Sequence, residues 1–154
     1  MNLTTLPTHS REFVELCLSR KVDFVLVGGF ALAAHGYARF TEDVDLLIAT
    51  NLENAQKLAG VVREFGFGAL GFTAEDFLEP EQVFQLGRPP QRIDILTSIS
   101  GVEWEEIWAT KEPLALDGLS LWVISLEKIL TNKRSSGRPK DLLDVLELER
   151  RRAK

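Results

Sequence analysis

The chain has 154 residues and a formal net charge of -5 at pH 7; 45% of its residues are hydrophobic and 27% are charged. This length and this balance predict one globular domain and exclude a wholly disordered chain. A single cysteine excludes an intrachain disulfide, and one cysteine with two histidines argues against a structural zinc site. The negative charge argues against a broad nucleic-acid-binding surface but is compatible with a local basic cleft.

The first ten residues are polar and lack the apolar core of a signal peptide. The longest apolar stretch, residues 24–34, contains two glycines and is far shorter than the roughly 20 residues that span a bilayer. We therefore expect a cytoplasmic protein without a membrane partner.

Strands and helices interleave along the chain, which predicts an α/β (α+β) fold with a mixed sheet flanked by helices. We expect a single domain over residues 1–154, with a core at about 22–124 and a C-terminal helical part at about 125–152. In the first half of the chain the pattern predicts a helix over 10–21 with Ser10 as N-cap, a strand over 24–27, a short helix over 30–35, a strand over 44–49 and a helix over 51–65 capped by Asn51. In the middle it predicts strands over 81–86 and 92–96 and a short helix over 102–109. A hairpin of 113–116 with 119–124, a helix from Ser125 to about 135 and a last helix over 141–152 complete the chain.

Three aspartates occupy positions at which a carboxylate is unusual. Asp43 and Asp45 flank Val44 at the start of a predicted strand, and side chains alternate along a strand, so both carboxylates point to the same face. Asp94 lies in the middle of a predicted interior strand, where a carboxylate is costly unless it is paired or binds a cation. If the two strands are neighbours, all three carboxylates converge, and three hard oxygen donors suit Mg²⁺ or Mn²⁺.

A purely structural interpretation of these aspartates stays open. Asp43 could cap a turn, Asp45 could pair with Arg39, and Asp94 could pair with Arg92. Any one aspartate alone would favour that interpretation. The three together favour metal binding, and two bound ions could clamp an in-line phosphoryl or nucleotidyl displacement.

Gly28 and Gly29 lie between a predicted strand and a short predicted helix. Glycines at such a position let backbone N–H groups approach a ligand closely, and a helix N-terminus favours an anion. The pair predicts a cradle for a phosphate chain, in which a side chain at Gly29 would crowd the phosphates and a positive backbone angle there would add strain. The alternative is a tight turn without a ligand.

Three segments together resemble the nucleotidyltransferase superfamily related to DNA polymerase beta, and within it the branch of AbiEii-type toxins. They are residues 27–32 (VGGFAL), 39–48 (RFTEDVDLLI) and 92–96 (RIDIL). The resemblance implies that Asp43, Asp45 and Asp94 hold catalytic metal ions and that Gly28 and Gly29 cradle a nucleoside triphosphate. Many members of the superfamily have Gly-Ser where this chain has Gly-Gly, so Gly29 offers only its backbone.

Basic residues cluster near the C-terminal helices of this acidic chain, at Lys128, Lys133, Arg134, Arg138 and Lys140. In phosphoryl transfer, cations beside the metal ions neutralise negative charge on the group that is transferred. By the resemblance and by their position, Lys133 and Lys140 are the candidate nucleotide contacts, with Asp141 and Asp144 holding Lys133 or Arg138 in place. The alternative is a solvated set of helix-terminal cations.

Two functions of different classes follow. The first is a metal-dependent nucleotidyltransferase that moves a nucleoside monophosphate from a triphosphate to a hydroxyl of RNA, such as tRNA, or of protein, in a toxin–antitoxin system with a cognate toxin or antitoxin chain. The second is a nucleotide- or partner-binding module without turnover. Transfer to a small molecule is disfavoured, because such enzymes usually add a second substrate domain and this chain has no room for one.

Overall fold

The structure is a computed structural model that describes residues 5–37, 41–89 and 91–153 of the chain. Its α-helices within those residues are α1 (Thr8–Ser19), α2 (Gly28–Ala34), α3 (Leu52–Val62), α4 (Trp104–Thr110), α5 (Leu126–Ser136) and α6 (Pro139–Arg152). Its strands are β1 (Phe24–Val27), β2 (Val44–Ile48), β3 (Val83–Leu86), β4 (Ile93–Leu96), β5 (Glu112–Leu116) and β6 (Leu119–Val123).

The strands form one mixed sheet of six strands in the order β3-β4-β2-β1-β6-β5. β1 runs antiparallel to β2 and parallel to β6, and β2 runs parallel to β4. Antiparallel pairs, β3 with β4 and β5 with β6, form the two edges. All four residues of β1 are buried, which explains its continuous apolar sequence. The predicted fold class is confirmed.

One buried apolar cluster joins the strands to the helices. α2 packs on β1 and β2, α3 contacts α1, and α5 packs on α6. Ile129 and Leu130 of α5 and Val145 and Leu148 of α6 belong to the same cluster as the strand residues, so the C-terminal helices share the core of the sheet. Within the described residues, no helix is long and apolar enough to cross a membrane.

Two predicted helix caps are confirmed. The side chain of Asn51 accepts a hydrogen bond from the backbone N–H of Asn54 at the start of α3, and that of Ser125 accepts one from the N–H of Lys128 at the start of α5. Both caps follow from short-range chemistry, because a side-chain oxygen at this position satisfies a helix N–H that has no partner within the helix.

The starts of α1 and α2 differ from the prediction. Ser10 is not an N-cap: α1 begins at Thr8 after Pro7, and Ser10 lies buried inside the helix. The helix starts early because the Pro7 carbonyl already accepts the backbone N–H of Arg11. α2 begins at Gly28, two residues before the predicted start.

The chain between α3 and β3 is more helical than its glycines suggest. α3 ends at Val62 and continues into a π-helical turn, Arg63–Phe67, which is kinked at Gly66. Two 3₁₀ turns follow, Gly68–Leu70 and Ala74–Leu78. Phe77 of the second turn is fully buried, so tertiary packing holds this segment in place.

Gly137 and Gly60 offer a matched test of backbone strain. Both have open space where a Cβ would lie, but Gly137 ends α5 with φ +66°, whereas Gly60 lies inside α3. We predict that Gly137→Ala lowers the free energy of unfolding by about 1 kcal/mol, because L-residues are strained in the left-handed region. Gly60→Ala should raise it by about 0.5–1 kcal/mol, because alanine favours a helix interior. Urea unfolding measures both; changes of the same sign would contradict the assignment of Gly137 as the left-handed cap.

Candidate active site

The sheet brings the three predicted aspartates together. β2 and β4 are parallel neighbours, and their register places Asp45 opposite Asp94 and Val44 opposite Ile93. Asp43 directly precedes β2. The two strands are thus neighbours, which is the condition under which the sequence analysis brings the three carboxylates together, and Asp94 is buried as expected for an interior strand.

Arg92 connects two of these carboxylates. Its Nε and Nη2 atoms each donate a hydrogen bond of 3.0 Å to an oxygen of Asp94, and Nη2 also lies 2.9 Å from Oδ2 of Asp43. The Asp94–Arg92 pair of the structural interpretation is thus present, and Asp43 shares it. The other proposed pair, Asp45 with Arg39, cannot be placed, because Arg39 lies outside the described residues.

The environment of Asp45 perturbs the pKa of its carboxyl group. Burial raises its pKa to about 7, and the negative charges of Asp94 and Asp43 and a hydrogen bond with Asp94 act in the same direction, while the charge of Arg92 opposes them. Among the residues that the structure describes, the cluster therefore holds three carboxyl groups around one guanidinium. Charge crowding of this kind is relieved when a further cation binds.

The donor set fits Mg²⁺ or Mn²⁺ in its chemistry, since it consists of hard carboxylate oxygens with an excess of negative charge. The positions of the side chains, in contrast, are not those of a metal site. Among the described residues, no group of three His, Cys, Asp or Glu side chains is arranged to hold a metal ion. The guanidinium of Arg92 contacts both oxygens of Asp94 and one of Asp43 instead.

Gly28 makes room for Asp45. A Cβ at Gly28 would lie 1.9 Å from Oδ2 of Asp45, and the residue has φ +74°, so both space and backbone conformation require glycine. At Gly29 a Cβ would lie 2.9 Å from the side chain of Thr41, without a positive φ. The backbone strain expected at Gly29 thus falls at Gly28, and both glycines are explained by contacts within the chain.

A cleft of about 780 Å³ opens beside these residues. Gly28 and Asp45 line it together with Lys133 and Arg138, whereas Gly29 does not. Apolar side chains from β1, β3, β4 and α5 form much of the remaining wall. The cleft therefore joins the carboxylates of Asp45, Glu81 and Asp141, an exposed glycine backbone and two cations in a single space.

Two buried carboxylates hold the side chain of Lys133. Its Nζ lies 2.9 Å from Asp144 and 3.3 Å from Asp141, and only 14% of its side chain is exposed. The hydroxyl of Tyr37 donates to the other oxygen of Asp144. The prediction that Asp141 and Asp144 hold Lys133 in place is confirmed.

Asp141 accepts hydrogen bonds from Lys133, Ser136 and Arg138 in this second cluster. Burial raises its pKa, but hydrogen bonds from Ser136 and Arg138 and the charge of Lys133 outweigh burial and lower the pKa to about 2. Arg138 donates from Nε at 2.9 Å while 77% of its side chain stays exposed. Arg138 is therefore the more accessible cation of the cleft.

Lys140 lies apart from this space. It is exposed in the first turn of α6, and it does not belong to the residues that line the cleft. Of the two lysines chosen from the sequence, only Lys133 faces the cleft. The reason is rotational, because one turn of α6 directs Asp141 and Asp144 inward and Lys140 outward.

Several cleft residues were missed by the sequence analysis. They are the acidic residue Glu81 and four uncharged polar side chains, Ser98, Ser100, Asn132 and Ser136. Asn132 also donates a hydrogen bond to the backbone carbonyl of Ser100, which ties α5 to the segment after β4. The available signals were weak: two serines just after the strand of Asp94, and an asparagine directly before Lys133.

The comparison with protein families assigns the chain to a class. Residues 18–154 match the family described as nucleotidyl transferase AbiEii toxin, type IV toxin–antitoxin system. The chain belongs to this family. The match includes all three aspartates and the C-terminal helices, and it confirms the resemblance carried by the sequence motifs.

A solved structure shows the same fold. A proposed nucleotidyltransferase from Thermotoga maritima aligns with a TM-score of 0.54 over 93% of this chain and 88% of that chain, at 16% sequence identity. At this identity the likeness establishes the fold. Comparison with curated protein sequences gives no match.

The contact between Gly28 and Asp45 gives a testable coupling. We predict that Gly28→Ala lowers the free energy of unfolding by about 2 kcal/mol or more, because the new Cβ strains the backbone and displaces the carboxylate. In an Asp45→Ala background the same change should cost less, since the carboxylate is gone. A double-mutant cycle by chemical denaturation measures this coupling. Equal costs in both backgrounds would show that the two residues do not meet.

The lowered pKa of Asp141 predicts that the free energy of unfolding depends on pH. Its folded pKa of about 2 lies below its ordinary 3.8, so its stabilisation is complete above about pH 4 and is lost as the pH falls through about 2. Asp141→Asn should lower the free energy of unfolding by about 2 kcal/mol at pH 7, and the deficit should shrink below pH 4.

Glu53→Gln is the control for that measurement, because Glu53 forms an exposed ion pair with Lys57. We expect its effect to stay within about 0.5 kcal/mol at every pH. Denaturant unfolding from pH 7 to pH 3 gives both curves. A deficit of Asp141→Asn that stays constant over this range would contradict the lowered pKa.

Proposed function

We propose that this protein is a metal-dependent nucleotidyltransferase that transfers a nucleoside monophosphate from a nucleoside triphosphate to a hydroxyl group of RNA, with tRNA as one candidate, or of a protein. The observation that carries the proposal is the shared cleft: Asp45, supported by Asp43 and Asp94, lines the same space as Lys133 and Arg138. Carboxylates for cations and cations for phosphates are the two requirements of this chemistry. The family assignment supports the class of reaction.

In the proposed reaction, an acceptor hydroxyl oxygen forms a bond to the α-phosphorus of the triphosphate. The bond from that phosphorus to the bridging oxygen breaks, pyrophosphate leaves, and the hydroxyl proton is released. Mg²⁺ or Mn²⁺ held by Asp43, Asp45 and Asp94 would neutralise charge on the phosphates and lower the pKa of the hydroxyl.

The chain's own residues bind and orient the substrate in this scheme. The exposed backbone of Gly28 lets a phosphate approach next to Asp45. Arg138, largely exposed, offers an accessible cation, whereas Lys133 is fixed by two buried carboxylates and contributes a charge at a set position. Lys140 would reach only a ligand that extends beyond the cleft.

Membership in a toxin–antitoxin family supports a role in such a system, with a cognate antitoxin as the functional partner. We propose that the acceptor is a macromolecule. We propose a cytoplasmic site of action, where triphosphates and tRNA are available.

A binding module without turnover is the second candidate. It is favoured by the contacts of Arg92, which hold Asp94 and Asp43 and leave no group of three metal-binding side chains among the described residues. The two candidates differ in one measurable respect, the covalent transfer of labelled nucleotide.

The test uses the protein with Mg²⁺ or Mn²⁺, each of the four α-labelled triphosphates, total tRNA and a cell lysate. We expect label in RNA or protein with the parent chain, and at least a hundredfold less with Asp45→Asn, since removal of one charge-stabilising group commonly costs that much. Asp45→Asn should melt at the same or a higher temperature without metal, because it relieves the carboxylate crowding.

Asp23→Asn is the matched control. Asp23 is exposed and precedes β1 at the end opposite Gly28, so this variant should transfer like the parent. If the protein binds triphosphate tightly but transfers label to no acceptor, the enzyme proposal is rejected in favour of the binding module. Full transfer by Asp45→Asn would show that the reaction takes place elsewhere.

A further inference from the structure

Arg92 engages the same oxygen atoms that the proposed reaction assigns to cations. Both oxygens of Asp94 accept hydrogen bonds from it at 3.0 Å, and Oδ2 of Asp43 lies 2.9 Å from its Nη2. A single guanidinium therefore contacts three of the four carboxylate oxygens on these two residues. Asp45, the third aspartate, has no such contact with Arg92, although it feels its charge.

These contacts are not those of a solvated surface pair. Only 26% of the Arg92 side chain and 11% of the Asp94 side chain are exposed. A bidentate contact between a guanidinium and a carboxylate is among the stronger ion pairs, and partial burial reduces its screening by water and salt. Breaking this pair without replacing the cation would leave a buried carboxylate uncompensated, which is costly.

We propose that Arg92 is an internal counter-cation that gates the metal site. Before a divalent cation binds, Arg92 holds Asp94 and Asp43; binding of the cation requires Arg92 to release them. The inference rests on the proposed function, because it concerns regulation of that same site. It assigns a role to Arg92 beyond that of a structural partner of Asp94.

The opposite role, in which Arg92 organises the carboxylates for the metal, predicts a change of opposite sign. If Arg92 organises the site, its removal weakens metal binding. If Arg92 competes with the metal, its removal strengthens metal binding. Competition is the role that the contacts support, because a lone pair directed at an N–H donor is not available to a metal ion.

The experiment is titration of each purified protein with Mn²⁺ alone, followed by calorimetry and by the loss of free Mn²⁺ signal in electron paramagnetic resonance. Arg92→Gln should bind Mn²⁺ about tenfold more tightly than the parent, since one competing ion pair has been removed. Arg92→Lys keeps the positive charge but cannot form the two-pronged contact, and it should fall between the parent and Arg92→Gln.

Two further variants test whether the gain in Mn²⁺ affinity depends on the position of Arg92 and on the carboxylate of Asp45. Arg88→Gln removes the same charge from an exposed position in the turn before β4, and it should bind Mn²⁺ like the parent. Adding Asp45→Asn to Arg92→Gln should abolish the gain, because the ion would lose one of its three carboxylates. Melting temperatures without metal report whether each variant is folded; if Arg92→Gln is not, Arg92→Lys provides the comparison.

Equal or weaker Mn²⁺ binding by folded Arg92→Gln, or by Arg92→Lys in its place, would overturn the inference. So would parent-like binding by Arg92→Lys beside a gain in Arg92→Gln, because charge alone would then explain the effect. Absence of Mn²⁺ binding in every variant would overturn both the gate and the metal requirement. The transfer assay is independent: tighter Mn²⁺ binding without any nucleotide transfer would retain the gate and reject the proposed reaction.

Discussion

The register of β2 against β4 is the constraint on which the candidate site depends. It sets Asp45 directly opposite Asp94 on neighbouring parallel strands, with Asp43 one residue before β2. Like charges at this spacing repel, and burial increases the cost, as the raised pKa of Asp45 records. Arg92 is the compensating charge supplied by the chain itself. The rest of the cleft lies beside this crowded end of β2 and β4.

Cations compensate the carboxylates at the two ends of the cleft to different degrees. In the C-terminal helices, Lys133 and Arg138 balance Asp141 and Asp144, so that cluster is nearly neutral and its carboxylate Asp141 has a lowered pKa. On the sheet, counting only the residues that the structure describes, three carboxyl groups share one guanidinium, and the pKa of Asp45 is raised. The balanced cluster stabilises the packing of α5 on α6, whereas the unbalanced cluster is suited to bind an added cation.

The family and the fold are supported by independent observations. The family match covers residues 18–154, and the solved structure from Thermotoga maritima shares the fold at 16% identity. A fold kept at such low identity depends on the pattern of buried strands rather than on particular side chains. The class of reaction therefore comes from the family, while the roles proposed for Asp45, Arg92 and Arg138 come from their contacts in this chain.

The sequence alone determined the features that depend on neighbouring residues. The strand of continuous apolar residues and the helix caps Asn51 and Ser125 follow from interactions over a few positions. Tertiary structure alone decided which strands pair, that Arg92 reaches Asp43 as well as Asp94, and that Lys133 faces the cleft while Lys140 does not. The start of α1 at Thr8 and the burial of Phe77 belong to the same group. The physical reason is that local propensity acts through adjacent backbone groups, whereas register, charge compensation and helix rotation are set by contacts between residues distant in the chain.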